Sequence, residues 1–208
     1  MKKLLLTGFL IFMMSVASLA SAAEIDRAYF KGNPELSYPV VIVKNADAAT
    51  KINTAIRNEM KRITDDIYTR TGEDLKAFSI DYKIPCNHED GILSIRFSGY
   101  VYVDKAAHPW HLVSCLNFNS DSGVRLMADS LSEIAKHGND YTAAELTRKL
   151  KIYSEKNNRP LYDYFEQLDE VPETFYFDDN LHVHFLFDEQ TVAHYAVGII
   201  DLDADATY

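Results

Sequence analysis

The sequence predicts an α+β fold: a mainly antiparallel sheet with helices packed on one face. Three observations carry this expectation. Ile52, Ile56, Met60, Ile63 and Ile67 recur at three- and four-residue spacing, as on one face of a helix. Apolar and polar residues alternate from 92 to 103, as on a strand with one buried face. Short strand-like runs precede and follow the helical stretches instead of alternating with them, which is the order of α+β and not of a parallel sheet.

The elements follow in chain order. Lys2 and Lys3, an apolar run from Leu4 to Leu19 and the small residues Ala20, Ser21, Ala22 and Ala23 form a cleavable export signal. Residues 1–23 are therefore read as a signal peptide and the mature chain as periplasmic or secreted. Ala28 to Phe30 and Tyr38 to Val43 read as strands around the turn Gly32-Asn33-Pro34, with Pro39 marking an edge strand. Residues 47–69 form the long amphipathic helix, capped by Asn45 or Asp47 and stopped at Thr71-Gly72. Residues 77–86, 92–103 and 111–119 make a three-stranded meander. Residues 127–136, 142–156 and 161–168 read as helical, with breaks at Gly138 and Pro160. Phe175 to Phe177 and Leu181 to Phe187 form a hairpin around Asp178 to Asn180, and residues 194–202 a final strand.

Composition narrows the function. Removing Lys2 and Lys3 leaves 19 basic against 31 acidic residues, so the net charge of −10 becomes −12 in the mature chain. That field repels nucleic acid and anionic lipid and attracts a basic partner. No second apolar run is long enough to span a membrane. Cys86 and Cys115 pull two ways. An exported pair invites a disulfide. In the meander, however, Cys86 lies opposite about residue 94 and Cys115 opposite about residue 99, two strands apart and past the ~7 Å limit for bridging. The register favours free thiols.

Three sets of residues together resemble one family. Tyr38-Pro39-Val40-Val41 followed by Ile52-Asn53-Thr54-Ala55-Ile56 is similar to the opening of the PdaC-like domain. His108-Pro109, Ser114, Asn117-Phe118, Ser122-Gly123 and Met127 to Leu131 resemble the RsiV-like C-terminal domain. Phe175 to Phe187 with Tyr195-Ala196-Val197-Gly198 resembles that domain's closing strands. The resemblance implies a PdaC-like region over 24–106 and an RsiV-like region over 107–208, packed together as one unit. It further implies an exported, non-catalytic module that binds peptidoglycan or a basic extracellular protein such as lysozyme. The sequence departs from the family pattern at Trp110, where Asn is common, and at residues 188–192, which replace a Pro-Tyr-Glu-Ile-Ala stretch.

Tyr100 and Tyr102 fall on the face opposite Leu93, Ile95 and Phe97, and Trp110 stands at a strand entrance with His108 and His111 beside it. Exposed, these rings would stack on sugars or anchor a protein; a helix laid over the tyrosine face would make those two core instead. His182 and His184, one residue apart on a strand, point to one face, a spacing that suits a two-histidine metal clamp. They are the basis of the competing expectation, a metal-assisted hydrolase acting on envelope polysaccharide. A structural envelope protein is the third. No Gly-x-Ser-x-Gly elbow, phosphate-cradling loop or His-x-x-x-His pair occurs. Thr174 to Asp179 matches a deacetylase motif only with an insertion. No cofactor is expected.

Overall fold

The computed structural model describes residues 22–134 and 141–207. The body of the signal segment, the expected helix end at Lys136 and the break at Gly138 lie outside the described residues.

The described chain is α+β, with strands in three antiparallel sheets. β1 (Glu24–Tyr29) and β2 (Ser37–Ile42) form a hairpin in which Pro39 pairs with Arg27. Between them a turn at Phe30–Gly32 places Lys31 and Gly32 at positive φ. α1 (Ala46–Thr71) follows. Asn45 caps it by accepting from the Asp47 and Ala48 N–H groups, and Gly72, at φ 54°, ends it. Ile52, Ile56, Met60, Ile63 and Ile67 are all buried, so the expected apolar face is the packing face. Asn53 adds a second tie. Its amide donates to the Val41 carbonyl at 2.7 Å and accepts from the Val41 N–H at 2.8 Å, pairing β2 as a neighbouring strand would.

α1 packs on the meander β3 (Leu75–Asn87), β4 (Ile92–Val103) and β5 (Trp110–Asn119), in spatial order β3-β4-β5. Leu93, Ile95, Phe97 and Val101 meet the helix face, joined by Leu112, Leu116 and Phe118 from β5. β3 changes register between Lys83 and Cys86. Pro85 lies there, and a residue without an N–H fits an irregularity of the ladder. Cys86 pairs with Ser94 as expected, whereas Cys115 pairs with Arg96 and not with residue 99. The ladder of β4 with β5 begins at Val101–Trp110, so the connection is longer than the sequence suggested. A slip of three residues reverses faces, and Cys115 points away from α1. Both cysteines are free and buried in separate clusters.

On the side of the meander away from α1 lies a second unit: α2 (Leu131–Ile134), α3 (Ala143–Asn157), β6 (Phe175–Phe177), β7 (Val183–Phe187) and β8 (Ile200–Asp203). The helices thus divide between the two sides of the central sheet. Phe175, Phe177, Val183, Phe185 and Leu202 pack with Leu146 and Leu150 of α3. Alternate residues Tyr176 and Leu186 meet Val113 and Cys115. The open edge of β6 is sealed from the central sheet. Ser94 Oγ accepts from the Phe177 N–H at 2.9 Å and Asn117 Nδ2 donates to the Phe175 carbonyl at 2.8 Å. β5, beyond the 106/107 junction, pairs with β4 along its whole length.

Two expected elements differ. Residues 161–168 are not helical: Leu161 bridges Ala193 and the Tyr162 N–H bonds the Val192 carbonyl, so these backbone groups serve a neighbouring segment. The strand expected over 194–202 is a turn at Tyr195–Val197, then Gly198 at φ 71°, and only then β8. At the N-terminal end Asn87 brackets Ala23, its amide accepting from the Ala23 N–H and donating to the Ala23 carbonyl, each at 2.8 Å.

Candidate functional site

At the end of the meander where β5 begins, α1 and residues 188–190 enclose an open cleft of about 490 Å³. Arg62, Asp66 and Arg70 project from the last turns of α1, four residues apart and so on one helix face. Trp110 forms another wall, with the Arg70 guanidinium 5.9 Å from its ring centroid, within cation–π range. Arg70 also pairs with Asp66 at 2.9 Å. Below, Glu59 is buried. It accepts from Arg62 Nε at 2.9 Å and from Ser114 Oγ at 2.5 Å. Burial pushes its carboxyl up, but the hydrogen bonds from Arg62 and Ser114 win and hold it below the usual carboxylate range.

β5 is an edge strand, and its first outward N–H groups need partners. Two consecutive acidic residues supply them. Glu189 accepts from the His111 N–H at 2.9 Å and lies 2.7 Å from His111 Nδ1. The Asp188 carboxylate faces the Val113 N–H. Packing against the cleft wall and the charge of Glu189 push the Asp188 carboxyl up to about 6, against that N–H and Arg70 and Arg62.

A second titratable cluster lies between the central sheet and β6–β8. The His184 ring stacks on Tyr176, with centroids 4.7 Å apart and planes within 14°. Its Nδ1 lies 2.9 Å from Asp201 Oδ1. Arg96 donates to the other oxygen of Asp201 at 2.8 Å, and Tyr176 OH donates to the same carboxylate. His184 Nε2 is buried without a hydrogen-bond partner, 3.7 Å from Asp178 Oδ2. A carboxylate only accepts, so Nδ1 carries a proton. A neutral ring would then aim a bare, desolvated lone pair of Nε2 at a second carboxylate. The doubly protonated ring aims an N–H there instead. Desolvation opposes that charge, but the Asp201 hydrogen bond and the charges of Asp201, Asp203 and Asp178 raise the ring above the ordinary histidine range. Cys115, buried from β5, packs with Tyr176, and Arg96 from β4 pairs with Asp201, so both reach this cluster from the central sheet. His182 Nδ1 lies 3.2 Å from Asp203 Oδ2. Both histidines point to one face, as their spacing predicted, and each ring is engaged by its own aspartate. Among the described residues, no group of three or more His, Cys, Asp or Glu side chains is arranged to hold a metal ion.

Two solved structures share this fold. One is the crystal structure of a DUF3298 family member from Bacteroides fragilis, with a TM-score of 0.54 and 13% identity over 87% of this chain and 87% of that one. The other is a DUF3298 family protein from Pseudomonas aeruginosa, with a TM-score of 0.53 and 14% identity over 89% of this chain and 92% of its own. At such identities the likeness is one of fold. No protein-family model and no curated protein matches the sequence.

The residues singled out from sequence fall at two places. Trp110 and His111 line the cleft. His108 stacks on Tyr195, centroids 3.7 Å apart, while Tyr195 OH donates to the Pro109 carbonyl at 2.6 Å. Tyr100 lies directly across from His111 in the ladder and is 40% exposed; Tyr102, two residues on, is 39% exposed. α1 packs on the opposite face, and the second unit meets this face around Ser94, Val113 and Cys115, so both tyrosines stand open and neither is core. His182 and His184 belong to the second cluster. Sequence reasoning passed over Arg62, Arg70, Asp188 and Glu189 in the cleft, and Arg96, Tyr176 and Asp201 in the cluster. The available signal was the spacing of the two arginines on α1 and the acidic pair within residues 188–192.

Proposed function

We propose that this chain is an exported binding module whose cleft takes a peptidoglycan fragment. One observation carries the reading. Two places where the sequence departs from the PdaC-like and RsiV-like pattern, Trp110 and, within residues 188–192, Asp188, Glu189 and Gln190, meet in the same cleft, opposite Arg62 and Arg70. An aromatic ring beside paired charges suits a sugar: the ring takes the pyranose face, while Arg62 and Arg70, held by Glu59 and Asp66, and the carboxylates of Asp188 and Glu189 offer donors and acceptors to its hydroxyl and amide groups. The resemblance to exported envelope modules supports the same reading, as does the export signal.

A second reading is favoured by the charge of −12 on the mature chain and by the exposed pair Tyr100 and Tyr102: a basic extracellular protein such as lysozyme docks on this end of the meander. The test is calorimetric titration of residues 23–208 against soluble peptidoglycan fragments and, separately, hen lysozyme, at low and moderate salt. Fragment binding weakened at least tenfold by Trp110→Ala supports the cleft reading. A lysozyme complex that weakens with salt and with Tyr100→Ala, without fragment binding, replaces it with the second. Heat from neither ligand refutes both.

A further inference from the structure

Beyond the cleft, two groups of aromatic rings lie on the surface around residues 162–164 and 194–195. Tyr164 is the most exposed large apolar side chain among the described residues, at 76%. It stacks on Tyr162, centroids 4.8 Å apart and planes within 11°. Tyr162 meets the edge of His194 at 4.6 Å, and the adjacent Tyr195 stacks on His108. The core does not explain this order, because Tyr164, His194 and His108 are all exposed.

Each group is joined to the cleft by one hydrogen bond. Tyr162 OH donates to the carbonyl of Gln190, a cleft residue held at a positive φ of 64°. Tyr195 OH donates to the carbonyl of Pro109, next to Trp110. A ligand leaving the cleft past residue 190 therefore meets rings already stacked and held. Tyrosine loses little rotamer freedom on binding, and its hydroxyl leaves a polar rim around a flat apolar face. That combination fits the alternating apolar faces and hydroxyl edges of a pyranose chain. Tyr164, His194 and His108 are exposed and leave their outer sides open to such a chain.

We propose that Tyr162, Tyr164, His194, Tyr195 and His108 form a second carbohydrate subsite that continues the cleft and holds further units of a linear N-acetylated glycan. The inference rests on the cleft reading and deepens it from a single fragment to a chain.

The test is calorimetric titration of residues 23–208 with N-acetylglucosamine oligomers of two and six units, using wild type, Tyr164→Ala and Trp110→Ala. One aromatic stacking contact is worth ~0.5–1.5 kcal/mol, or roughly 2- to 12-fold in affinity. The six-unit oligomer binds wild type more tightly than the two-unit oligomer by at least that factor. Tyr164→Ala removes the difference and leaves two-unit binding unchanged, whereas Trp110→Ala weakens both. Tyr164 is open to solvent, so an unchanged thermal melt verifies that its variant is folded. Equal affinity for both lengths, or six-unit binding indifferent to Tyr164→Ala, overturns the subsite and leaves the cleft standing. No binding of either oligomer overturns the subsite and the glycan reading of the cleft together.

Discussion

Replacing His184 tests the charged ring between the two sheets. His184→Ala removes the cation that faces Asp201 and Asp178 and the ring that stacks on Tyr176. Breaking a fully buried pair costs ~3–5 kcal/mol. Here the His184 side chain is 18% exposed and Asp201 33% exposed, and Arg96 still pairs Asp201, so water and the arginine relieve part of the penalty. The lower end, together with the lost stack, gives about 3 kcal/mol. For a domain of this size that is roughly 6–12 °C in Tm. The pH dependence is the sharper readout. The folded pKa of His184 is raised above its unfolded value, so its contribution is fully present below pH ~6.5 and is lost as pH climbs through the folded pKa. Urea unfolding of wild type at pH 6 and pH 9 will show the loss. His184→Gln, which can still donate to Asp201 but cannot ionise, will be flatter across that window. An unaltered slope in His184→Gln, or a ring that titrates by NMR at the ordinary histidine value, would sink the argument.

Four further outcomes follow from the geometry. Asp188→Asn will flatten the acid side of the stability curve. The raised Asp188 carboxyl favours the folded state most below its unfolded value near 3.8, and this advantage declines as pH rises through about 6; urea titrations at pH 4 and 7 measure it. Gly123→Ala will cost ~1–3 kcal/mol in chemical unfolding, because φ is +70° and a Cβ would stand 2.8 Å from the Ala48 backbone. A chain beginning at Glu24 will be less stable than one beginning at Ala23 by ~1–2 kcal/mol, since the Asn87 amide loses both partners; paired thermal melts decide it. Native protein will resist thiol reagents at pH 8 and keep its Tm under reductant. Both cysteines are free, and burial pushes Cys86 up to about 12 and Cys115 higher still.

The sequence by itself determined the local elements whose period is strong. The apolar stripe of α1, its cap at Asn45 and its stop at Gly72 are short-range facts of spacing and backbone freedom. The alternation in β4 placed Leu93, Ile95, Phe97 and Val101 inside and Tyr100 and Tyr102 on the other face, and the hairpin 175–187 kept its phenylalanines in the core. Only the tertiary structure decided the rest. Register depends on a turn whose length sequence does not fix, so the partner of Cys115 moved by three residues and its side chain changed face. Residues 161–168 carry helix-like spacing, yet their backbone pairs with residues 192 and 193, a contact thirty residues away. Whether Tyr100 and Tyr102 would be covered depended on how far the second unit extends over their face. The cleft is the same kind of fact. Arg62, Trp110 and Asp188 lie far apart in the chain, and no local pattern announces that α1, the start of β5 and the 188–190 turn converge. A buried face is written in periodicity, because burial is repeated along one element. A site is written in the meeting of elements, and only the packed fold brings them together.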